Sequence, residues 1–183
     1  MKLIYTLAFA VLFLGVSSQN TPNKKKSTQP VTRQMFSCPD FREMKWGAHR
    51  DSILKDGVPV NFAKVNTKSD SNSYFVPNDD LTIGTVFCDQ IYYVFNSANR
   101  LVKVRLVFPR KQLGEMKYIL RTKFDDPTNI NESGGGYQLT WSNIEEVRLT
   151  LNDYPDVNQA IVEFSSDFEI LESKRINQNV DDF

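Results

Sequence analysis

Alternation of apolar and polar residues is clearest in two runs near the middle of the chain. In QIYYVF (residues 90–95) one face carries the apolar residues Ile91, Tyr93 and Phe95. In LVKVRLVF (residues 101–108) one face carries Val102, Val104, Leu106 and Phe108. A period of two is typical of half-buried β-strands, and the polar turn NSANR between the runs predicts a hairpin.

After Pro109 the apolar period changes to that of a helix. Leu113, Met116, Leu120 and Phe124 fall on one stripe, which predicts an amphipathic helix from Lys111 to Phe124. The polar, glycine-rich stretch DDPTNINESGGG (residues 125–136) follows and is predicted to be a loop. A short helix is also predicted for residues 49–56, ended by Gly57, and a last one for residues 168–176.

Two further strands complete the pattern. After YQLTW, the run IEEVRLTL puts Val147, Leu149 and Leu151 on one face, and QAIVEF does the same with Ala160, Val162 and Phe164. The expected fold class is therefore α+β, an antiparallel sheet with a helix packed on one face.

The same alternation predicts the composition of the opposite face of the sheet. It would carry Tyr92, Val94, Lys103, Arg105, Glu146, Arg148, Thr150, Ile161 and Glu163. Aromatic and arginine side chains are enriched in interface cores, although mixed charges also fit a plain solvated face. The candidate partner-binding residues are Tyr92, Lys103, Arg105 and Arg148.

The N-terminal residues predict export. Lys2 precedes an apolar run that ends at Val16, and Ser17 and Ser18 close it, a pattern typical of a secretory signal peptide cut before Gln19. A membrane span needs about 20 apolar residues, so this run is too short. No cysteine follows the run at the cut, so a lipid anchor is not expected.

Composition then divides the chain into three parts. We expect a signal peptide over residues 1–18, a polar disordered linker over 19–35 and a single domain over 36–183. The whole chain has 22 basic and 22 acidic residues, so loss of Lys2 leaves a net charge of about −1. This charge gives no electrostatic reason to expect binding to nucleic acid or to an anionic membrane.

Cys38 and Cys88 are the two cysteines of the chain. In an oxidising compartment an even count favours a disulfide, and the long loop it would close implies roughly 4 kcal/mol of stabilisation. The alternative is two buried thiols.

No motif in the sequence predicts catalysis, a metal or a cofactor. His49, the single histidine, has no recognisable nucleophile or metal partner and is interpreted as a surface or helix-capping residue. The stretch NINESG resembles the start of a calcium loop but begins with Asn129, and Thr140 stands where a bidentate glutamate is required. Paired acids such as Asp79 and Asp80 are expected to be solvated in turns.

The order of Phe41, Trp46-Gly47, a short helix with Ile53, IYYVFNSANRLVKVRLVF, a helix, YQLTWSN and two final strands resembles that of small exported bacterial proteins of uncharacterised type. It is loosely similar to the group of β-lactamase-inhibitor proteins and outer-membrane-assembly small lipoproteins (BamE-like), over roughly residues 36 to 166. That resemblance implies binding to other proteins without catalysis. Ala48-His49 stands where the group usually opens its first helix with serine or threonine.

The leading hypothesis is an exported, non-enzymatic binding or accessory protein of the bacterial envelope, periplasmic or extracellular, with another envelope protein as partner. An alternative is a carrier of a small apolar ligand, in a cavity lined by Tyr74, Phe75, Phe87, Tyr92, Tyr93 and Phe95. A hydrolase that uses loop carboxylates is a third possibility.

Overall fold

A computed structural model describes residues 35–66 and 72–167. The predicted signal peptide, nearly all of the predicted linker and the predicted last helix lie outside these residues. The C-terminal end of the predicted domain, from residue 168, does so too.

An eight-stranded antiparallel sheet dominates the described residues. We label its strands β1 (Ala63–Lys64), β2 (Ser73–Phe75), β3 (Gln90–Phe95), β4 (Leu101–Pro109), β5 (Asn129–Ser133), β6 (Gly136–Trp141), β7 (Val147–Tyr154) and β8 (Gln159–Ser166). Their order across the sheet is β5-β6-β7-β8-β4-β3-β2-β1. The sheet therefore consists of two meanders, β1–β4 and β5–β8, which meet where β4 pairs with β8.

The predicted hairpin of β3 and β4 is confirmed. Its turn is built by Asn96, whose Oδ1 accepts hydrogen bonds from the backbone N–H groups of Ala98 (3.0 Å) and Arg100 (2.9 Å), as asparagine does in Asx turns. One assignment within it was wrong. The register shifts at the end of β3, so Leu101 is buried and Val102 is only half-buried, because a bulge moves one residue out of the alternation.

The predicted helix is present as α1 (Leu113–Phe124), after a 3-10 turn at Arg110–Gln112. Its predicted stripe is buried in the common core. The helix connects β4, in the middle of the sheet, with β5 at one edge.

The predicted loop over residues 125–136 is partly wrong, because residues 129–133 form the edge strand β5. Gly134 and Gly135 adopt positive φ angles of 61° and 78° and so make the tight turn into β6. All five residues of β5 are exposed. Since neither of its faces is buried, the strand leaves no apolar alternation in the sequence.

The predicted α+β fold class is wrong. The protein is mostly β, with about half of the described residues in strands and about a sixth in helices, and α1 is the one α-helix among them. Besides the large sheet, short strands pair as Phe36–Ser37 with Ile144–Glu145, Asp40–Phe41 with Met44–Lys45, Leu54–Lys55 with Val58–Pro59, and Thr82–Ile83 with Val86–Phe87.

The helix predicted at residues 49–56 is absent, which contributes to the error in the predicted fold class. The chain forms only a 3-10 turn at Arg50–Ser52, and His49 caps it by accepting the backbone N–H of Asp51 at 3.4 Å. Asp56 and Gly57 both have positive φ angles, 53° and 77°, and turn the chain into a hairpin. An Asp-Gly pair is a strong hairpin signal, and here it outweighs the helical spacing.

The predicted disulfide is also wrong, because Cys38 and Cys88 are both free thiols buried in the core. Burial raises the pKa of both thiols, that of Cys88 to about 11. The sulfur of Cys38 faces the backbone oxygen of Asp40 at 3.6 Å. Each cysteine therefore packs as a small apolar side chain.

Among the described residues, no helix has the length and apolar character needed to cross a membrane.

Alanine substitutions on the two faces of β4 test which face is the core. Leu106 is 1% exposed, so Leu106→Ala should lower the free energy of unfolding by about 2–5 kcal/mol, because it leaves a cavity. The neighbouring Val107 is half-buried on the opposite face, and Val107→Ala should cost less than about 1 kcal/mol. Urea unfolding followed by tryptophan fluorescence measures both changes, and equal losses would contradict the assignment of faces.

Candidate functional site

The face of the sheet opposite the core, here called the outer face, is polar over most of its width. Because side chains alternate along a strand and directly paired residues point to the same side, the register fixes its rows. One row runs across six strands through Tyr92, Arg105, Glu163, Thr150, Thr140 and Asn129.

A groove of about 800 Å³ lies on the β5 half of this face. Most of its lining is made of neutral hydroxyl and amide side chains: Thr128, Asn129, Gln138, Thr140, Ser142, Thr150, Asn152 and Ser165. The remaining lining residues are Lys103, Arg148, Glu163, Asp167 and Tyr154. The groove therefore offers many hydrogen-bonding groups and little apolar surface.

The neutral side chains are linked to one another along the floor. Gln138 donates a 2.6 Å hydrogen bond from Nε2 to Oδ1 of Asn152, whose Nδ2 lies 3.4 Å from the hydroxyl of Thr150. At the Thr128 end, the hydroxyl of that residue donates to the backbone oxygen of Thr140 and lies 2.9 Å from the hydroxyl of Ser142. These links hold the polar groups of the floor in place.

Glu163 lies at the centre of a three-residue ion-pair group on β4 and β8. Its carboxylate accepts hydrogen bonds from Nζ of Lys103 at 2.8 Å and from Nε of Arg105 at 3.2 Å. Partial burial alone would raise the pKa of Glu163, but the hydrogen bonds and charges of the two cations outweigh burial and hold this pKa below its ordinary value. Glu163 is therefore ionised at neutral pH.

Arg148 differs from Lys103, the other cation of the groove. It is exposed on β7, opposite Ser165 of β8, and among the residues that the structure describes its guanidinium has neither a hydrogen-bond acceptor nor an ion-pair partner. No described residue therefore occupies its fork of donors.

The structure brings the four predicted partner-binding residues onto one face. Lys103 and Arg148 line the groove itself. Arg105 lies beside it in the ion-pair group, and Tyr92 is paired with Arg105 on β3, farther from the groove.

Sequence reasoning missed most of the groove residues, among them Gln138, Thr140 and Asn152. Their alternation with the buried residues Leu139, Trp141 and Leu151 was visible in the sequence and would have placed them on this face. Neutral polar side chains carry no distinctive chemical signal, so the sequence alone does not mark these residues as a site.

Two carboxylates outside the groove, Asp79 and Asp153, are buried and have structural partners. Asp79 was expected to be solvated in a turn, which is wrong: its side chain is only 3% exposed. It accepts the hydroxyl of Tyr93 at 2.8 Å and lies 3.3 Å from Arg42. Burial and this contact with Asp79 raise the pKa of Tyr93.

Asp153 is a second buried carboxylate, 1% exposed, and Arg110 holds it through two contacts of 2.7 and 3.1 Å. This bidentate pair ties the start of the helical segment to the end of β7. The described residues contain no cluster of three or more side chains suited to hold a metal ion.

Three of the aromatic residues considered for a ligand cavity, Tyr74, Tyr93 and Phe95, pack against one another or against Phe62. Phe62 meets Tyr93 and Phe95 edge to face, with ring centroids 5.5 and 5.1 Å apart, and Tyr74 meets Phe95 at 5.5 Å. Phe87 is 56% exposed instead. The rings of Phe62, Tyr74, Tyr93 and Phe95 pack in or against the core, in the edge-to-face geometry that aromatic pairs prefer.

Comparisons with protein-family models, curated proteins and solved structures found no match to this chain.

The ion-pair group predicts an acid-sensitive contribution to stability. Because the pKa of Glu163 is lowered in the folded protein, its contribution is present above the unfolded-state pKa of about 4.3 and is lost as the pH falls through the folded-state pKa. Unfolding by urea over a pH series should therefore show a steeper loss of stability below about pH 5 for the wild type than for Glu163→Gln. Lys103→Met should give an intermediate slope. Equal slopes for wild type and Glu163→Gln would contradict the ion-pair assignment.

Proposed function

We propose that this chain is an exported, non-enzymatic binding or accessory protein of the bacterial envelope, and that the groove on the outer face is its binding site. The observation that carries the proposal is the groove itself, about 800 Å³ in volume and lined almost wholly by hydrogen-bonding side chains. Binding sites are typically concave and orient their ligands through convergent polar groups. This groove has the concave shape and the polar groups, with little of the usual apolar lining. A plain solvated face does not need a concave shape.

Binding is favoured over catalysis by the state of the acidic residues. General acid–base chemistry needs a carboxyl group that can exchange a proton near neutral pH. Glu163 is held ionised by Lys103 and Arg105, whereas Asp79 and Asp153 are buried in contact with arginine. The arrangement is suited to recognition.

The proposals of export and of the class of partner rest on the sequence. The apolar run behind Lys2 supports secretion, and the resemblance to envelope accessory proteins supports an envelope component as the partner. The edge-to-face packing of Tyr93, Phe95 and Phe62 gives no support to the alternative of an apolar-ligand carrier.

Capture of envelope components by immobilised protein tests the proposal. A groove variant, Arg148→Ala/Thr150→Val/Asn152→Ala, should lose most of the bound material because it removes the open guanidinium and two hydrogen-bonding groups of the floor. Quantitative mass spectrometry and carbohydrate analysis of the eluate measure the loss.

The matched control is Lys111→Ala/Tyr118→Ala/Arg121→Ala, three exposed positions on the helical segment. It should bind as the wild type does. Thermal unfolding must show that both variants remain folded. Equal capture by the wild type and the folded groove variant would overturn the groove as the binding site.

A further inference from the structure

We infer that the groove binds an acidic glycan, an oligosaccharide whose sugar units carry carboxylates, and that Arg148 is the residue that recognises the carboxylate. This inference rests on the proposed function, which it deepens by naming the class of ligand. It is carried by three features of the groove: the neutral side chains of its floor, the guanidinium of Arg148, which has no partner among the described residues, and the ring of Tyr154.

The floor matches a hydroxyl-rich ligand. Sugar hydroxyls both donate and accept hydrogen bonds, and so do the side chains of threonine, serine, asparagine and glutamine. Thr140, Thr150, Gln138 and Asn152 present such groups from two neighbouring strands. The contacts between Gln138, Asn152 and Thr150 use only part of their capacity, which leaves acceptors and donors for a ligand.

Arg148 supplies a local site for a negative charge in a groove whose other charged lining residues are Lys103, Glu163 and Asp167. The guanidinium is planar and binds a carboxylate through two parallel hydrogen bonds. Lys103 is already held by Glu163 at 2.8 Å, whereas Arg148 has no such partner among the described residues. A carboxylate on the ligand would therefore meet its complement at Arg148.

Tyr154 adds a third element at the far end of β7. It is 45% exposed and lines the groove, on the same face as Arg148 because the two residues are an even number of positions apart. A tyrosine ring offers an apolar face and a polar tip, which suits the C–H face and hydroxyl rim of a sugar ring. Arg148 and Tyr154 thus mark the two ends of the polar row on β7.

A peptide is the less favoured occupant. Peptide recognition depends on apolar or aromatic anchor residues that fill pockets. The groove is lined by one aromatic side chain and otherwise by hydroxyl, amide and charged groups, so it offers no such pocket. A sugar chain needs none.

Titration calorimetry with the full-length exported protein tests the inference. The probes are short oligogalacturonate, oligomannuronate and hyaluronan fragments, the methyl ester of the galacturonate, and an oligoglutamate peptide of similar charge. The wild type should bind at least one uronate probe. If that probe is the galacturonate, its ester, which lacks the negative charge, should bind at least tenfold more weakly, as expected for loss of a charge-assisted pair.

Variants separate the two parts of the site. Arg148→Gln should weaken binding of the uronate that the wild type binds at least tenfold, and where that uronate is the galacturonate it should leave binding of the ester unchanged. Arg148→Lys should recover only part of the loss because it keeps the charge without the fork. Asn152→Leu should weaken the acid and the ester alike. Arg121→Gln, on the helix and outside the groove, should change neither.

Each contrary result has a distinct meaning. Wild-type affinity in Arg148→Gln would overturn Arg148 as the anchor. Absence of binding to every uronate probe, or tighter binding of oligoglutamate, would overturn the acidic glycan as the ligand. In either of those cases the capture experiment with the groove variant decides separately whether the groove is a binding site at all.

Discussion

The pairing of β4 with β8 is the interaction on which the rest of the structure depends. Seven consecutive residue pairs, from Lys103 with Ser165 to Pro109 with Gln159, join the two meanders into one sheet. The same register sets both faces at once. It places Val104 beside Phe164 in the core, and it places Arg105 beside Glu163 on the outer face. A slip of one residue would exchange the two faces, so core burial and the composition of the groove are specified together.

The sequence predicts those parts of the fold that bury one face. The alternation in β3, β4, β7 and β8 and the stripe of α1 were visible because each buries every second residue or one side of a helix. The edge strand β5 buries nothing and resembled a loop. Before Asp56-Gly57 the apolar spacing predicts a helix, but the turn preference of the Asp-Gly pair determines the structure. For Cys38 and Cys88, the even count could not show that each thiol is packed separately in the core.

The sequence predicts which face of the sheet carries the candidate site, but it does not predict the groove. Period two places Lys103, Arg105 and Arg148 on the outer face. The groove, however, needs side chains from β5 and β6, which lie at the far edge of the sheet from β1. The sequence does not predict the burial of Asp79 either, because this burial depends on contacts with Arg42 and Tyr93, which are distant from it in the chain. Long-range contacts of this kind leave no local pattern.

Native-state hydrogen exchange tests most directly whether the β4–β8 pairing unites the two meanders. If it does, the amides that pair β4 with β8, and those of β3 and β7 beside them, should exchange with the same free energy, equal to that of global unfolding, while the exposed edge strand β5 exchanges faster. The measurement is residue-resolved exchange by NMR with increasing low concentrations of urea. Two separate sets of opening energies, one for β1–β4 and one for β5–β8, would contradict the account, because each meander would then unfold on its own.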